Sequence, residues 1–336
     1  MKKIIVHHRS SHHSGYSGYS KLVDYLDDVE VVSGYPNLPY KVAKFIKNRN
    51  NQDYGIYDTV SVFKNYELIK KKIFSNENYL VHYLNGERDI RQAILFGKNN
   101  VATFHKPPAV LESTILNTKY LKKLNGAIAV GTSQVEFLKN WLEIENVKFI
   151  PHGINTDFFV PNSSKKKEKT ILFVGQHLRD FDVLNHAIRT LSEKIPDIRF
   201  NIVLRKDFAK NIITNSSVTI YSGIDDKNLK QLYQEATVLF LPLIDVTACN
   251  SLLEAMSCGL PIITTNLESN KGYGLNPANS ILVEGNNYID YVEAILSMLT
   301  SSESVLNEYS ISLRENASYF DWQIVANRID DFYKML

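Results

Sequence analysis

The stretch of this sequence best suited to chemistry is a polar loop between an apolar segment and a short helix. The loop, Asp245–Ser251, follows the apolar run Val238–Ile244, which is short and uninterrupted, as in a buried strand of a parallel sheet. It precedes a helical segment that Gly259 ends. Ligands bind at the carboxyl ends of such strands, and the free N–H groups at a helix N-terminus attract anions. We therefore predict an anion-binding site whose donors are the amides near Asn250 and Ser251.

Glu254 adds a carboxylate about one turn into the same helix. From there it can reach a hydroxyl group of a ligand bound at the helix N-terminus. The helix dipole alone also favours an acidic residue at this place. A solvated surface carboxylate is therefore the alternative interpretation of Glu254.

Three cationic residues follow two further apolar runs and can bind an anion. Arg179 comes shortly after the run Thr170–Gly175, and Arg205 and Lys206 end the run Arg199–Lys206. A guanidinium can bind a phosphate through two parallel hydrogen bonds, whereas a lysine acts as a point charge. A structural salt bridge is the alternative for each of them, and the sequence does not choose among the three.

A glycine-bearing loop follows the first short apolar run, Lys3–Val6, and precedes a helix at Lys21–Leu26. Gly15 and Gly18 in this loop permit positive φ angles or a close approach of the backbone to a phosphate or sugar. The motif is weak by itself, because it is not G-x-G-x-x-G and no ribose-binding acid follows at the dinucleotide-fold spacing.

Four histidines, His7, His8, His12 and His13, surround that loop. Their spacing does not match a Cys/His zinc finger, and no acidic residue is placed to complete a metal site. We therefore predict no metal here. Loop polarity, contact with an acceptor or simple surface exposure accounts for these residues.

The elements that must position these groups form two successive series of alternating strands and helices. In the first series a helix predicted over 88–96 joins two buried strands. A lysine-rich polar segment at 161–169 then precedes the second series. Two doubly wound α/β domains, 1–160 and 170–318, with a linker at 161–169, account for this pattern.

The composition excludes several classes of protein. Hydrophobic residues make up 44% and charged residues 22%, and no apolar run approaches the roughly 20 residues that span a bilayer. The two cysteines, Cys249 and Cys258, suggest no disulfide framework, so we expect a cytoplasmic protein. No nucleic-acid-binding module is apparent.

Charge is distributed unevenly along the chain. Residues 1–163 contain 21 Lys and Arg against 15 Asp and Glu, whereas residues 164–336 contain 17 against 21. The basic first half includes the segment Tyr40–Arg49, in which apolar residues at helical spacing are flanked by cations, and Lys70–Lys72 can extend the same patch. Peripheral contact with the inner face of a membrane is one interpretation, and an ordinary lysine-coated surface is the other.

The run Leu252-Leu-Glu-Ala-Met-Ser-Cys-Gly-Leu-Pro-Ile262 resembles the donor-binding signature of family-4 glycosyltransferases, which have the GT-B fold. That family places two glutamates eight residues apart. Glu254 matches the second one, which implies contact with the ribose hydroxyls of the donor. Val246 stands at the position of the first, and the resemblance implies that Thr247 and Asn250 replace it.

Other segments resemble the same family more loosely. His105 ends a strand whose histidine, in the family, lines the active-site cleft near the donor sugar, and a satisfied strand-end histidine is the alternative. Gln176 stands where the family has an arginine that helps to hold the donor diphosphate, so Arg179, Arg205 or Lys206 is the implied substitute. Ser222 lies at the strand end where the family reads the nucleotide base.

The resemblance also carries an expected architecture. It implies two Rossmann-like domains facing across a cleft, with Gly15 and Gly18 in the first glycine-rich loop, which faces the donor phosphates and the acceptor. The segment Ser318–Asn327 resembles the family's C-terminal helix, so residues 319–336 are expected to cross back to the first domain.

The implied activity is transfer of a sugar from a nucleotide-diphosphate-sugar to a hydroxyl of a glycan or lipid-linked acceptor. The family performs this transfer with retention of anomeric configuration and without a metal, so no cofactor is expected. A catalytically silent nucleotide-sugar-binding subunit, or another GT-B activity such as a nucleotide-sugar epimerase, is the alternative.

Overall fold

The protein is described by a computed structural model that covers residues 2–7, 15–16, 18–50, 52–75, 77–91, 99–162 and 169–336. The described residues form two compact units. The first contains residues 2–7, Tyr19–His152 and Trp322–Leu336, and the second contains residues 15–16, Gly18 and Gly153–Asp321. The units divide between His152 and Gly153, whereas composition placed the predicted boundary at residue 160.

The described part of the first unit is built on one parallel sheet with the strand order β2-β1-β3-β4-β5-β6. Strands β3, β4 and β5 are buried along their whole length, as expected for the central strands of a parallel sheet covered on both faces. The helix predicted over 88–96 lies largely outside the described residues. Strands and helices of this unit are β1 Lys2–Val6, β2 Val29–Val32, α1 Tyr40–Asn48, α2 Thr59–Phe74, β3 Tyr79–Tyr83, β4 Asn100–Phe104, α3 Pro108–Thr114, β5 Gly126–Ala129, α4 Val135–Leu142 and β6 Val147–Phe149.

The second unit has a parallel sheet with the order β12-β11-β10-β7-β8-β9, so the strand order reverses between the neighbours β7 and β10. Strand β10 stops just before Pro242, which cannot donate to the ladder. Two doubly wound, Rossmann-like units are therefore confirmed. The elements are β7 Thr170–Val174, α5 Phe181–Lys194, β8 Arg199–Val203, β9 Val218–Tyr221, α6 Asp226–Glu235, β10 Val238–Leu241, α7 Asn250–Ser257, β11 Ile262–Thr265, α8 Glu268–Gly272, β12 Ser280–Val283, α9 Tyr288–Thr300 and α10 Glu303–Ser318.

The last helix, α11 (Trp322–Lys334), packs within the first unit. Lys3 Nζ lies 2.8 Å from a carboxylate oxygen of Asp330 on this helix. A Cβ atom on Gly126 would lie 2.8 Å from the ring of Phe332, so the helix approaches β5 as closely as only glycine permits. No helix among the described residues is long and apolar enough to cross a bilayer.

A buried histidine ties α11 to the sheet of the first unit. His82, on β3, lies 2.6 Å from the hydroxyl of Tyr333 through Nδ1 and 2.7 Å from the hydroxyl of Thr103 through Nε2. Burial, and to a lesser extent the nearby His105, lowers the pKa of His82 to about 3. The ring is therefore neutral in the folded protein throughout the physiological pH range.

This histidine makes stability depend on pH. The pKa of His82 is about 3 in the folded chain and about 6.5 in an unfolded one, so the unfolded state binds the additional proton. The contribution of His82 to the free energy of unfolding is fully present above about pH 6.5. It decreases by up to about 1.4 kcal/mol per pH unit as the pH falls towards 3. We expect urea unfolding to show a smaller loss between pH 7 and pH 5 in His82→Gln than in the wild type. The exposed His186 provides the control, since His186→Gln should keep the full loss.

Candidate functional site

The site in the second unit lies where the strand order reverses. Strands β7 and β10 are neighbours, and the loops that follow them, Gly175–Asp180 and Pro242–Cys249, meet through a bridge between Arg179 and Leu243. Ligands of doubly wound sheets bind outside the carboxyl ends of the strands at this reversal. Helix α7 begins directly after the second of these loops.

Arg179 is held firmly at the start of α7. Its Nη2 donates to the hydroxyl of Ser251 at 2.9 Å and lies 3.2 Å from the sulfur of Cys249. Its Nε donates to the carbonyl of Val174, and its Nη1 donates to that of His177. The guanidinium charge therefore has a fixed position beside the N-terminus of the helix.

Gly175 makes room for this arrangement at the end of β7. Its φ is +96°, a conformation that residues with a side chain rarely adopt. A Cβ atom there would also lie 3.0 Å from Nη2 of Arg179. The glycine that ends β7 is thus required both by the backbone turn and by the position of the guanidinium.

The N-terminus of α7 has no capping side chain. Cys249 occupies the cap position, and its carbonyl accepts from the N–H groups of Leu252 and Leu253. The positive end of the helix dipole and the guanidinium of Arg179 act in the same place, which favours an anion. Thr247 is buried at the end of the preceding loop, and Asn250 is half-buried.

Glu254 is buried at 3% exposure, so the solvated-carboxylate interpretation is wrong. One of its carboxylate oxygens accepts from the hydroxyl of Tyr233 on α6 at 2.8 Å. Burial, together with the charge of Glu254, raises the pKa of Tyr233 well above its usual value, so the tyrosine remains a donor. The carboxylate is therefore held in one orientation from the neighbouring helix.

The other cations proposed from the sequence lie elsewhere. Arg205 is exposed, forms an ion pair with Asp207 and places its guanidinium 5.3 Å from the centre of the Phe208 ring. The ion pair raises the pKa of Arg205. Lys206 is exposed at the start of a 3₁₀ helix. Of the three candidates, Arg179 is the one that the structure brings to α7.

Three other residues singled out in the sequence lie at the carboxyl ends of the strands, namely Gln176, Ser222 and Val246. The side-chain oxygen of Gln176 accepts from the backbone N–H of Arg205 at 3.4 Å. The hydroxyl of Ser222 donates to the carbonyl of Leu204 at 2.8 Å, which fixes it at the end of β9. Val246 is buried, and its backbone N–H donates to a side-chain carboxylate oxygen of Asp245 at 2.7 Å.

Residues 15, 16 and 18 of the glycine-bearing loop belong to the second unit. The N–H of Gly15 donates to a carboxylate oxygen of Asp226, at the start of α6, at 2.7 Å. The ring of Tyr16 stacks on that of Phe158, with centroids 3.6 Å apart and planes 5° apart. Gly18 has a φ of +94°, which is one of the two properties for which a glycine was expected here.

The histidines around the first loop lie mostly outside the described residues. His8, His12 and His13 lie outside the described residues. Within the described ranges, no group of three or more His, Cys, Asp and Glu residues could hold a metal ion.

In the first unit, His105 follows β4 and contacts a second histidine. Its Nδ1 lies 2.9 Å from Nε2 of His152, and its Nε2 lies 2.6 Å from the carbonyl oxygen of Leu84. Glu87, which is buried, accepts from the backbone N–H groups of His105 and of Lys106. The sequence pointed to His105 but missed His152, whose signal was its place between a proline and a glycine after β6.

Comparison with known proteins shows what the part of the chain that carries this geometry is similar to. Residues 155–318 match the family model described as glycosyl transferases group 1. Spore coat protein SA of Bacillus subtilis is 28% identical over 50% of this chain, and a D-inositol 3-phosphate glycosyltransferase of Corynebacterium urealyticum is 20% identical over 56%. The alignments cover 49% and 51% of those two proteins, so the chain spans about half the length of the curated relatives that it matches.

Solved structures extend the likeness of fold to the whole chain. Sucrose-phosphate synthase from Thermosynechococcus elongatus superposes with a TM-score of 0.73 at 16% identity, over 100% of this chain and 99% of that one. Anabaena HepE, in complex with UDP and glucose, gives a TM-score of 0.71 at 11% identity over the whole of both chains. The fold is therefore GT-B. Residues 155–318 of this chain are thus similar to the glycosyl transferases group 1 family.

Proposed function

We propose that this protein transfers a sugar from a nucleotide-diphosphate-sugar to a hydroxyl of a glycan or lipid-linked acceptor, with retention of configuration and without a metal ion. The observation that carries the proposal is the fixed guanidinium of Arg179, bonded to Ser251 at the uncapped N-terminus of α7. The similarity of residues 155–318 to the glycosyl transferases group 1 family supports the class of reaction.

The transfer requires stabilisation of the charge that grows on the departing nucleoside diphosphate. Donors that are already in place at that charge need no reorganisation during the reaction, which is why they stabilise a transition state strongly. We assign this role to Arg179 and to the amides of Asn250 and Ser251. Arg205 and Lys206 are left as more distant contributors to the positive potential.

The remaining contacts to the donor are assigned from their positions. Glu254, held by Tyr233, takes the ribose hydroxyls. Ser222, at the end of β9, contacts the base, and Gln176, Thr247, Gly15 and Gly18 complete the donor contacts. His105 is assigned to the transferred sugar, as the family resemblance implies.

The test is a panel of nucleotide sugars, starting with UDP-sugars because several structural neighbours were solved with UDP. A donor present at 100 times its Kd should stabilise the chain by about 2.7 kcal/mol, which a thermal-shift assay detects. The stabilising donor should then be hydrolysed or transferred at the same rate with and without a chelator. Tight binding without turnover on any acceptor would instead favour the silent subunit, and absence of binding across the panel would contradict the proposal.

We also propose that helix α1 contacts an anionic membrane surface. Phe45 is 55% exposed and Val42 is 43% exposed, and Lys41 and Lys44 are exposed beside them. The guanidinium of Arg49 lies 4.1 Å from the centre of the Phe45 ring. Exposed apolar side chains flanked by cations are typical of helices that lie in the membrane interface. At the end of α2, Ile73 and Phe74 are also exposed, next to Lys70–Lys72.

Reversal of two charges on α1 tests this contact. Each lysine near an anionic surface contributes about 1 kcal/mol, so Lys41→Glu with Lys44→Glu should weaken partitioning onto phosphatidylserine vesicles by more than about tenfold. Sedimentation with the vesicles measures the effect. Lys210→Glu with Lys227→Glu makes the same charge change at exposed positions of the second unit and should have a much smaller effect. Equal losses in the two variants would indicate net charge rather than a docking helix.

A further inference from the structure

Two histidines of the first unit share one hydrogen bond beside a buried tyrosine. His105 and His152 are joined from Nδ1 to Nε2 at 2.9 Å. Both rings pack against the ring of Tyr19, with centroid distances of 4.7 Å and 4.9 Å. His152 is 9% exposed, and Tyr19 is 4% exposed. The pair is therefore enclosed by protein on the side of the tyrosine.

The second bond of His105 determines where its proton lies. The carbonyl oxygen of Leu84, 2.6 Å from Nε2, can only accept, so Nε2 of His105 carries a hydrogen. In a neutral imidazole the other nitrogen, Nδ1, then has a lone pair. That lone pair must accept, and the donor is the Nε2–H of His152. If His105 is instead a cation, its Nδ1 also carries a hydrogen and donates to Nε2 of His152. A single hydrogen therefore lies between the two rings whether His105 is neutral or charged.

Neighbouring residues hold the histidine pair in place. The carboxylate of Glu87 accepts from the backbone N–H groups of His105 and Lys106. The hydroxyl of Tyr19 lies 3.2 Å from that of Thr103, which in turn bonds to the neutral His82. The ring of His105 therefore has both nitrogens engaged within the protein and its backbone anchored. It cannot take a proton from a substrate through either nitrogen while these bonds persist.

We propose that His152 is a positioning residue for sugar transfer, which acts by holding His105 in the tautomer with hydrogen on Nε2 and in a single ring orientation. His105 then presents a fixed polar surface to the sugar and does not act as a general acid or base. The proposal rests on the proposed function for its effect on turnover. The tautomer itself is independent of any activity.

The test combines ¹⁵N spectroscopy with kinetics on the full chain. Histidine labelled with ¹⁵N should show, for His105, a protonated Nε2 and an unprotonated, hydrogen-bonded Nδ1, and His105→Gln assigns the signals by their loss. His152→Phe keeps a ring against Tyr19 but removes the donor. It should shift the Nδ1 signal and lower kcat about tenfold, the worth of one typical hydrogen bond, with little change in the KM for the donor. His152→Gln returns an N–H donor and should recover part of kcat.

Two results would overturn the proposal. One is a wild-type His105 with hydrogen on Nδ1 instead of Nε2. The other is a folded His152→Phe variant with unchanged Nδ1 signal and unchanged kcat. If His152→Phe does not fold, the wild-type spectrum and the His152→Gln variant still test the proposal. If the wild type turns over no donor, the proposed function fails, and the spectrum alone decides the tautomer.

Discussion

Replacement of Arg179 by alanine is expected to lower kcat/KM for the donor by about 100- to 1000-fold, as removal of one preorganised donor at a developing charge does in other enzymes. The reason is the position of the guanidinium, which bonds to Ser251 at the N-terminus of α7 and to two backbone carbonyls. Because these bonds fix the guanidinium, the charge is already in place when the diphosphate begins to leave. Steady-state kinetics with the donor found in the thermal-shift panel measures the loss.

Three further variants make this result specific. Arg189→Ala removes an exposed arginine of α5 and should leave kcat/KM nearly unchanged. Arg179→Lys keeps the charge but not the planar fork, so it should recover only part of the rate. Arg205→Ala should have a much smaller effect than Arg179→Ala, since Arg205 is exposed and paired with Asp207. A larger loss in Arg205→Ala would place the diphosphate at the end of β8 and contradict the assignment.

The fold could be predicted from the sequence because its local signals agree. Continuous apolar runs mark the buried parallel strands, and Pro242 and Gly259 mark where β10 and α7 end. The loop before α7 was placed at a strand end and a helix start, as the structure shows. These features depend on residues that are close in the sequence, so a single chain is enough to find them.

The choice among the three cations could not be made in this way. It depends on strand order, since β7 pairs with β10 and thereby brings Arg179 to Ser251, 72 residues away. Arg205 follows β8, and its partner Asp207 is only two residues along the chain. The spacing of apolar residues along the sequence does not indicate which loops meet at the edge of a sheet.

The histidine pair was missed for the same reason. His105 follows β4 and His152 follows β6, with β5 between these strands in the sheet. The carboxyl ends of parallel strands lie on one edge, which allows the two side chains to meet across β5. Strand order was needed before His152 could be recognised as a partner of His105.

Replacement of Glu254 by alanine is expected to raise the barrier to transfer by about 2 kcal/mol or more, which is about a 30-fold loss of kcat/KM. The carboxylate is buried and held by the Tyr233 hydroxyl, so its orientation is set before a ribose arrives. Donor kinetics measures the loss. Glu193→Ala removes an exposed carboxylate of α5 and should leave the kinetics unchanged.

Tyr233→Phe separates a ribose contact from a purely structural bond. If Glu254 serves only to pair with Tyr233, Glu254→Gln and Tyr233→Phe should lower the unfolding free energy by non-additive amounts and leave the kinetics of the folded enzyme alike. If Glu254 binds the ribose, Glu254→Gln should raise the KM for the donor or lower kcat well beyond the effect of Tyr233→Phe. The loss should also shrink for a donor that lacks the ribose hydroxyls, since that donor makes no contact for Glu254 to lose. Equal kinetic losses for both donors would show that Glu254 does not bind the ribose.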